Sequence, residues 1–156
     1  MVAGFLLAMA TAEGGDYYWT SSTGGVFGAT DNWNLAAVPS DTDDAIFTNN
    51  ASYSVTWSES RTNANAYFGA PGGAVTVNPG IYEWVITNTL FIGQGADAAA
   101  TLNMGAGALT VNSLVLTNVD ATGNGVNYLT LNGGTLNIYS DSEIRRATNN
   151  AGDAAH

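Results

Sequence analysis

Short stretches in which apolar and small polar residues alternate make up most of residues 66–140. They are separated by Gly, Asn and Pro, and Thr101–Asn103 and Leu109–Val111 are examples. Alternation with a period of two residues is typical of β-strands with one buried and one solvated face. No sustained apolar stripe with the 3.6-residue period of a helix occurs in this region. The sequence therefore predicts an all-β fold.

A pentapeptide of the form Thr-(Val/Leu)-Asn-X-Gly occurs three times in this region. Its copies begin at Thr76, Thr101 and Thr130, 25 and then 29 residues apart. A short apolar segment precedes each copy, and another follows it. The preceding segments are residues 66–69, 90–93 and 114–117, and the following segments are residues 83–86, 108–111 and 135–138. Repetition at a period of about 20 to 50 residues is the sequence signature of a stacked repeat architecture.

Three short strands per repeat fit one coil of a right-handed parallel β-helix, a solenoid of about three coils. Each strand then pairs with its equivalent in the next coil, and stacking buries the inward faces. We expect Asn78, Asn103 and Asn132 to stack at one corner as a structural asparagine ladder. The alternative is a hairpin at Asn132-Gly133, because Asn-Gly between alternating strands is a strong hairpin signal. The long-range period favours the solenoid.

The composition changes along the chain. Val2–Ala12 is apolar and ends in a small-residue site, Ala10-Thr11-Ala12, which is typical of an export signal, although no positive charge precedes it. Because of this missing charge, two alternatives stay open: the true start of the chain lies upstream, or the segment is a buried strand or cap. It is too short to span a bilayer, which needs about 20 residues, so we expect no membrane-spanning segment. The expected regions are a signal at 1–12, an aromatic-rich cap at 13–61, the solenoid repeats at 62–140 and a polar tail at 141–156.

The aromatic-rich region contains short motifs in a defined order. They are Tyr18-Trp19, Asn32-Trp33, Val38-Pro39, Asp44–Phe47 and Tyr53–Val55, followed by the repeats. This order resembles the N-terminal part of bacterial autotransporter-like and PEP-CTERM-associated surface β-helix proteins. The resemblance covers residues 17 to about 140. It implies an exported chain with a right-handed β-helical fold, and it implies no particular activity because its motifs are short.

Two roles are open to the aromatic residues of this region. Trp19, Trp33 and Phe47 are bulky enough to cover the exposed edges and apolar core at the end of a solenoid. Alternatively, Tyr17, Tyr18, Trp19 and Trp33 form a ligand-binding platform for a polysaccharide, with rings stacked on sugars and Asn or Asp side chains bound to hydroxyls. Two coplanar rings open to solvent would favour the second role.

Charge excludes some classes of partner. Only 10% of the residues are charged, the net charge is −10, and the basic residues are three arginines and no lysine. Nucleic-acid binding requires clustered Lys and Arg to neutralise phosphates, so we expect no nucleic-acid partner.

Lysine commonly protects exposed strand edges from pairing with another chain. After Ser140 the repeat pattern gives way to a polar segment without a bulky cap. Either the chain is a fragment whose remaining coils are missing, or this end docks on the aromatic N-terminal face of another copy. The absence of lysine favours self-association through the ends of the solenoid.

Few residues offer chemistry. Asp41-Thr42-Asp43-Asp44 suggests calcium, but it lacks the spacing of known calcium loops, so we expect no metal and no cofactor. Nucleophilic triads and histidine metal sites are excluded, because the chain has no Cys and its only His is His156. Glu59, Glu83 and Glu143 remain candidates for a glycosidase pair, but their spacing does not link any two of them.

These observations favour a non-enzymatic function. The leading hypothesis is an extracellular structural or adhesive β-solenoid module, secreted or on the bacterial surface, that self-assembles head to tail into a filament. One alternative is a polysaccharide-binding module. The other, less favoured, is a fragment of a carbohydrate-active β-helix enzyme.

Overall fold

A computed structural model of the chain describes residues 14–69, 73–93, 100–117, 127–140 and 142–145. These ranges contain thirteen β-strands and a single short 3₁₀ turn at Thr30–Asn32. The strands are β1 Asp16–Tyr18, β2 Gly25–Val26, β3 Asp44–Phe47, β4 Tyr53–Thr56, β5 Arg61–Asn63, β6 Asn65–Phe68, β7 Ala74–Asn78, β8 Glu83–Ile92, β9 Thr101–Met104, β10 Ala108–Thr117, β11 Tyr128–Leu131, β12 Thr135–Ile138 and β13 Ser142–Arg145.

The strands form two parallel sheets around one core. The first follows the order β1-β3-β6-β8-β10-β12, with β5 also on β8 and β13 also on β10, and the second follows the order β11-β9-β7-β4-β2. Neighbours in each sheet come from successive coils, and the described chain is a β-solenoid of about four turns. The predicted fold class is therefore confirmed. The hairpin alternative is excluded, because β11 pairs with β9 and β12 with β10, not with each other.

Two long strands, β8 and β10, each supply two of the three strand positions of a coil. The first half of β10 pairs with β12, and its second half pairs with β13. The register between β8 and β10 shifts at the corner between these halves, where Thr87 and Asn88 lie opposite the single residue Asn112. Such a bulge bends a strand without ending it. The predicted separate strands are therefore joined at this corner.

Two of the three predicted strand alignments are confirmed to the residue. The segments that precede the pentapeptides, which we call the first segments, pair residue by residue with their equivalents in the next coil. The segments that follow the pentapeptides, which we call the last segments, do the same. The paired sets are Ala66, Leu90 and Leu114 in the first segments, and Glu83, Ala108 and Thr135 in the last.

The predicted asparagine ladder is wrong. Asn103 pairs with Thr76 in β7 and with Thr130 in β11. Asn78 lies two residues after Thr76, at the end of β7, and Asn132 lies two residues after Thr130, just past the end of β11. The middle pentapeptide is therefore shifted by two residues relative to its neighbours. Since alternate residues of a strand face the core, a shift of two keeps the same side chains inward and does not disturb the hydrophobic pattern.

The solenoid extends beyond the boundaries predicted for it. In the aromatic-rich region, β3 pairs with β6 and β4 pairs with β7, so residues 13–61 contribute coils as well as a cap. β13 adds a strand to β10 inside the segment expected to be a polar tail. The boundaries at residues 62 and 140 are therefore wrong. The predictions for residues 1–12 and for residues 146–156 lie outside the described residues.

A single core runs along the stack. Inward side chains of successive coils lie in columns, such as Val55, Val77 and Met104. Phe47 and Phe68 stack within another column, with ring centroids 4.8 Å apart. The core is mainly aromatic in the first coils and aliphatic in the last ones. This gradient makes the two ends of the stack chemically different.

Candidate functional surfaces

The end of the stack that carries β1 and β2 is covered by the segment that follows β2; we call it the capped end. The backbone N–H of Tyr18 donates to Asn34 Oδ1 at 2.9 Å, and its carbonyl accepts from the backbone N–H of Asn34 at 3.0 Å. On β2, the Val26 carbonyl accepts from Asn32 Nδ2 at 2.9 Å. These bonds use edge groups that would otherwise be available to another strand.

Aromatic rings fill the core behind this edge. Trp19 and Trp33 meet edge to face with centroids 5.2 Å apart, and their backbones form an antiparallel bridge. Their ring nitrogens donate to the carbonyls of Ser21 and Phe27, each at 2.8 Å. Trp19 is 2% exposed and Trp33 3% exposed, so neither ring offers a face to a ligand. Their place in the predicted sugar platform is therefore wrong, and they lie where a cap of the core requires them, as does the buried Phe47.

Tyr17 and Tyr18 lie on opposite faces of β1. Tyr17 is at an inward position and packs against the core, whereas Tyr18 points outward and is 41% exposed. The structure therefore does not bring the four predicted ligand-binding rings together. Tyr18 instead begins an outward column that we call the outer ridge. Its members in register are Tyr18, Ile46, Tyr67, Phe91 and Val115.

The outer ridge was not predicted, although its signal is present in the sequence. Tyr67, Phe91 and Val115 occupy the same offset in the three aligned first segments. The rings of Tyr67 and Phe91 stack with centroids 4.7 Å apart and planes inclined by 4°. A ring stacked in this way shares its face with its neighbour and presents its edge outward. The stacked part of the ridge is thus unsuited to sugar stacking.

The phenol of Tyr67 is held in its neutral form. The pKa of Tyr67 is raised to about 12. Burial of the phenol is the largest cause, and the negative charge of Asp44 and a hydrogen bond to the Asp44 carboxylate add to it. The more distant carboxylate of Asp16 acts in the same direction. The Tyr67 hydroxyl is therefore a hydrogen-bond donor at neutral pH and not a nucleophile.

The carboxylates of the acidic turn serve local structure. Asp43 accepts hydrogen bonds from the backbone N–H of Gly15 at 2.7 Å, and from the backbone N–H and Oγ of Ser40 at 2.8 and 2.7 Å. Asp44 accepts from Asn65 Nδ2 at 2.8 Å. Burial acts to raise the pKa of Asp43, but these hydrogen bonds outweigh it and lower the pKa below its ordinary value. Within the described ranges, no group of three or more His, Cys, Asp or Glu side chains is placed to hold a metal ion.

Glu59 and Glu83, which were considered for catalysis, take part in structural contacts. Glu59 forms an ion pair with Arg61. Glu83, at the start of β8, accepts a hydrogen bond from Thr110 Oγ1 of the next coil. Glu143 lies at an exposed position of β13. These contacts join neighbouring residues or neighbouring coils, which is a structural role.

The opposite end of the stack, formed by β11, β12 and β13, exposes side chains of the core; we call it the open end. The inward positions of β11 and β12 continue the core columns with Leu129, Leu131, Leu136 and Ile138. Leu131 is 51% exposed and Ile138 is 36% exposed, whereas the equivalent residues one coil earlier are fully buried. An exposed apolar surface bordered by strand edges is typical of an interaction site.

Comparisons with protein-family models, with curated proteins and with solved structures found no match to this chain. The resemblance to surface β-helix proteins therefore stays a prediction. In the part of the chain that is described, no helix has the length and apolar character needed to cross a membrane.

Proposed function

We propose that this chain is a structural β-solenoid module that acts outside the bacterial cell. It supplies a rigid rod segment that is closed at its capped end and binds further β-structure at its open end. The observation that carries the proposal is the contrast between the two ends. At one end the edge groups of Tyr18 are bonded within the chain, and at the other Leu131 and Ile138 of the core are exposed.

The chemistry of the surface supports a structural role. Outward positions of the second sheet carry hydroxyl and amide side chains, and the set in register is Ser54, Thr76, Asn103 and Thr130. The carboxylates of Asp43 and Glu83 are engaged in hydrogen bonds that tie parts of the solenoid together. A surface of this kind is well hydrated and offers little acid–base or nucleophilic chemistry.

The extracellular location is supported by the sequence. The apolar segment Val2–Ala12 and its small-residue site have the form of an export signal. The test is to produce the whole chain with a C-terminal epitope tag in a bacterial host and to fractionate the cells. We expect a shortened product outside the cytoplasm, and a full-length product when Ala10 and Ala12 are both replaced by Arg. Retention of the unaltered full-length chain in the cytoplasm would contradict the extracellular assignment.

Binding of a polysaccharide is a second candidate function, because Tyr18 is exposed at the capped end of the outer ridge. Its ring is the first of the described column, so its outer face is not stacked on another ring of that column. Affinity electrophoresis in gels containing neutral polysaccharides tests this role. Retardation that is lost in Tyr18→Ala and kept in Tyr139→Ala, an exposed tyrosine near the open end, would support it. Equal mobility in all gels would exclude it for those polysaccharides.

A further inference from the structure

We propose that two copies of this chain associate through their open ends, tail to tail, so that their cores join in a closed dimer. The inference rests on the proposed structural function, because it names the partner of the same open end. It differs from the head-to-tail filament expected from the sequence.

The open end presents the same two features that hold each coil to the next within the chain. The first is a set of inward apolar side chains in line with the core columns, which includes Leu129, Leu131 and Leu136. The second is the outer edge of strands that are hydrogen-bonded on their other side to β9 and β10. A surface that combines apolar side chains with a strand edge is best matched by another surface of the same kind.

The capped end of a second copy does not supply such a match. Trp19 and Trp33 are buried there, and the edge groups of Tyr18 are already bonded to Asn34. A head-to-tail contact would have to break these bonds before strands could pair. At the open end, Leu131 and Ile138 are already exposed, so these core side chains do not have to be uncovered before two such ends meet.

The distribution of charge favours the same arrangement. Residues 127–140 contain no charged side chain. Acidic side chains gather in the first coils, at Asp16, Asp31, Asp41, Asp43 and Asp44. Each copy carries a net charge of −10. The third strand of the open end, β13, contains one acidic and one basic residue, Glu143 and Arg145, so the three strands together carry no net charge. Joining these ends keeps the two acidic regions as far apart as the length of the solenoids allows, which minimises their repulsion.

Symmetry limits the assembly to two copies. A contact between identical surfaces is isologous and closes on itself, in contrast to a head-to-tail contact, which repeats without limit. For the cores to join, the twofold axis must lie perpendicular both to the stack and to the strands. Rotation about this axis reverses the direction of the stack and the direction of the strands, and it keeps the inward faces of the sheets on the core side. A terminal strand therefore runs antiparallel to its partner across the joint.

Sedimentation equilibrium of the purified chain over a concentration series tests the proposal. We expect a monomer–dimer equilibrium that does not proceed to larger species. Leu131→Asp and Ile138→Asp place a charge in the joint and should weaken dimerisation at least tenfold. Thr130→Asp, on the outward face of the same strand as Leu131, should leave the dimer intact. Circular dichroism of each variant confirms that the monomer is folded.

Crosslinking separates the two modes of end contact. The chain has no cysteine, so single reactive sites can be introduced without interference. Ser140→Cys at the open end should crosslink to itself with a short bis-maleimide, and Ser22→Cys in the first coil should not. A chain that stays monomeric at all concentrations would overturn the proposal, as would open-ended growth with crosslinks between Ser22→Cys and Ser140→Cys copies. Dimerisation of a chain that is not exported would instead contradict only the proposed extracellular function.

Discussion

Individual polar side chains fasten the loops of this solenoid to its core. Asn63 is fully buried, and both ends of its amide are used. Its Nδ2 donates to the Ser40 carbonyl at 2.9 Å, and its Oδ1 accepts from Trp84 Nε1 at 2.9 Å. One side chain therefore connects the turn before β3 to the core of the following coil. A buried amide with this role cannot be replaced by an apolar side chain without leaving its partners unpaired.

Asn63→Leu should lower the free energy of unfolding by about 2–4 kcal/mol, because the Trp84 N–H and the Ser40 carbonyl both lose their partners. Denaturant unfolding followed by tryptophan fluorescence measures the change. Asn88→Leu, at an exposed corner position, is the control and should change stability by about 0.5 kcal/mol or less. Equal effects of the two substitutions would show that the amide bonds of Asn63 do not matter for stability.

The hydrogen-bonded carboxylate of Asp43 makes the stability of the capped end sensitive to acid. Its hydrogen bonds to Gly15 and Ser40 stabilise the carboxylate form and lower its pKa in the folded state. A lowered pKa contributes stability that is fully present above the unfolded-state value of about 3.9 and is lost as the pH falls below it. Unfolding free energies measured from about pH 6 to pH 2 should decline more steeply for the native chain than for Asp43→Asn.

The exposed Asp41 provides a matched control for this experiment. Asp41→Asn removes a carboxylate from the same turn and leaves the hydrogen bonds of Asp43 in place, so at neutral pH it should be more stable than Asp43→Asn by about 1–3 kcal/mol. If Asp43→Asn and the native chain show parallel pH profiles, the hydrogen bonds to this carboxylate do not control acid stability.

Among the elements, the turns between the second and third strand positions depend on glycine. Gly107 has a φ of 109°, and a Cβ atom at this position would lie 2.8 Å from Pro79 Cβ and 2.9 Å from the backbone nitrogen of Gly80. Gly80 also has a positive φ, of 70°, but a Cβ atom there would meet nothing within 4 Å. The two glycines thus share the backbone requirement and differ in the space around them.

Gly107→Ala should destabilise the chain more than Gly80→Ala does. The Gly80 substitution carries only the left-handed backbone cost of about 1–2 kcal/mol. The Gly107 substitution adds a steric clash with the preceding coil, for which about 1–3 kcal/mol more is expected. Thermal and denaturant unfolding of the two variants compares them directly. A larger loss in Gly80→Ala would mean that coil spacing at this corner is not set by Gly107.

The alignment of strands was predictable where two residues of the same kind recur at one offset. Leu90 and Leu114 pair as their spacing predicts. The alignment of the pentapeptides was not predictable from the sequence. Asn103 pairs with Thr76, and because this two-residue shift leaves the same side chains facing the core, the hydrophobic pattern does not reveal it. The sequence pattern therefore reports which face of a strand is buried more reliably than it reports the register between coils.

The candidate surfaces were predictable only in part, for a related reason. The composition of the aromatic-rich region indicated a cap or a platform, and burial decides between them for Trp19 and Trp33. The edge bonds from Asn34 join residues 16 positions apart in sequence. No local pattern marks an asparagine that will meet a particular strand edge, because the contact depends on how the whole loop folds back.

At the scale of the whole molecule, the aromatic content and the burial of the core differ between the two ends of the stack. Trp19, Trp33, Trp57 and Trp84 all lie in the first coils, where their rings pack on one another and on Phe27. In the last coil, Leu131 and Ile138 have a neighbouring coil on one side and solvent on the other. In a stacked repeat, stability is approximately the sum of each coil's own contribution and its contacts with its neighbours.

This inequality predicts a gradient of local stability along the stack. Amide hydrogen exchange measured by mass spectrometry on dilute protein should show strong protection in β3, β6 and β8, and opening of β11 and β12 at a free energy well below that of global unfolding. Raising the concentration should then protect β11 and β12 selectively, because a tail-to-tail dimer covers those strands and leaves β1 and β2 as they were. Leu131→Asp should abolish the concentration effect and preserve the gradient. Uniform protection from end to end, or exchange that is fastest in β3, would contradict this prediction. It would show that the aromatic coils near the capped end are not more stable than the rest of the solenoid.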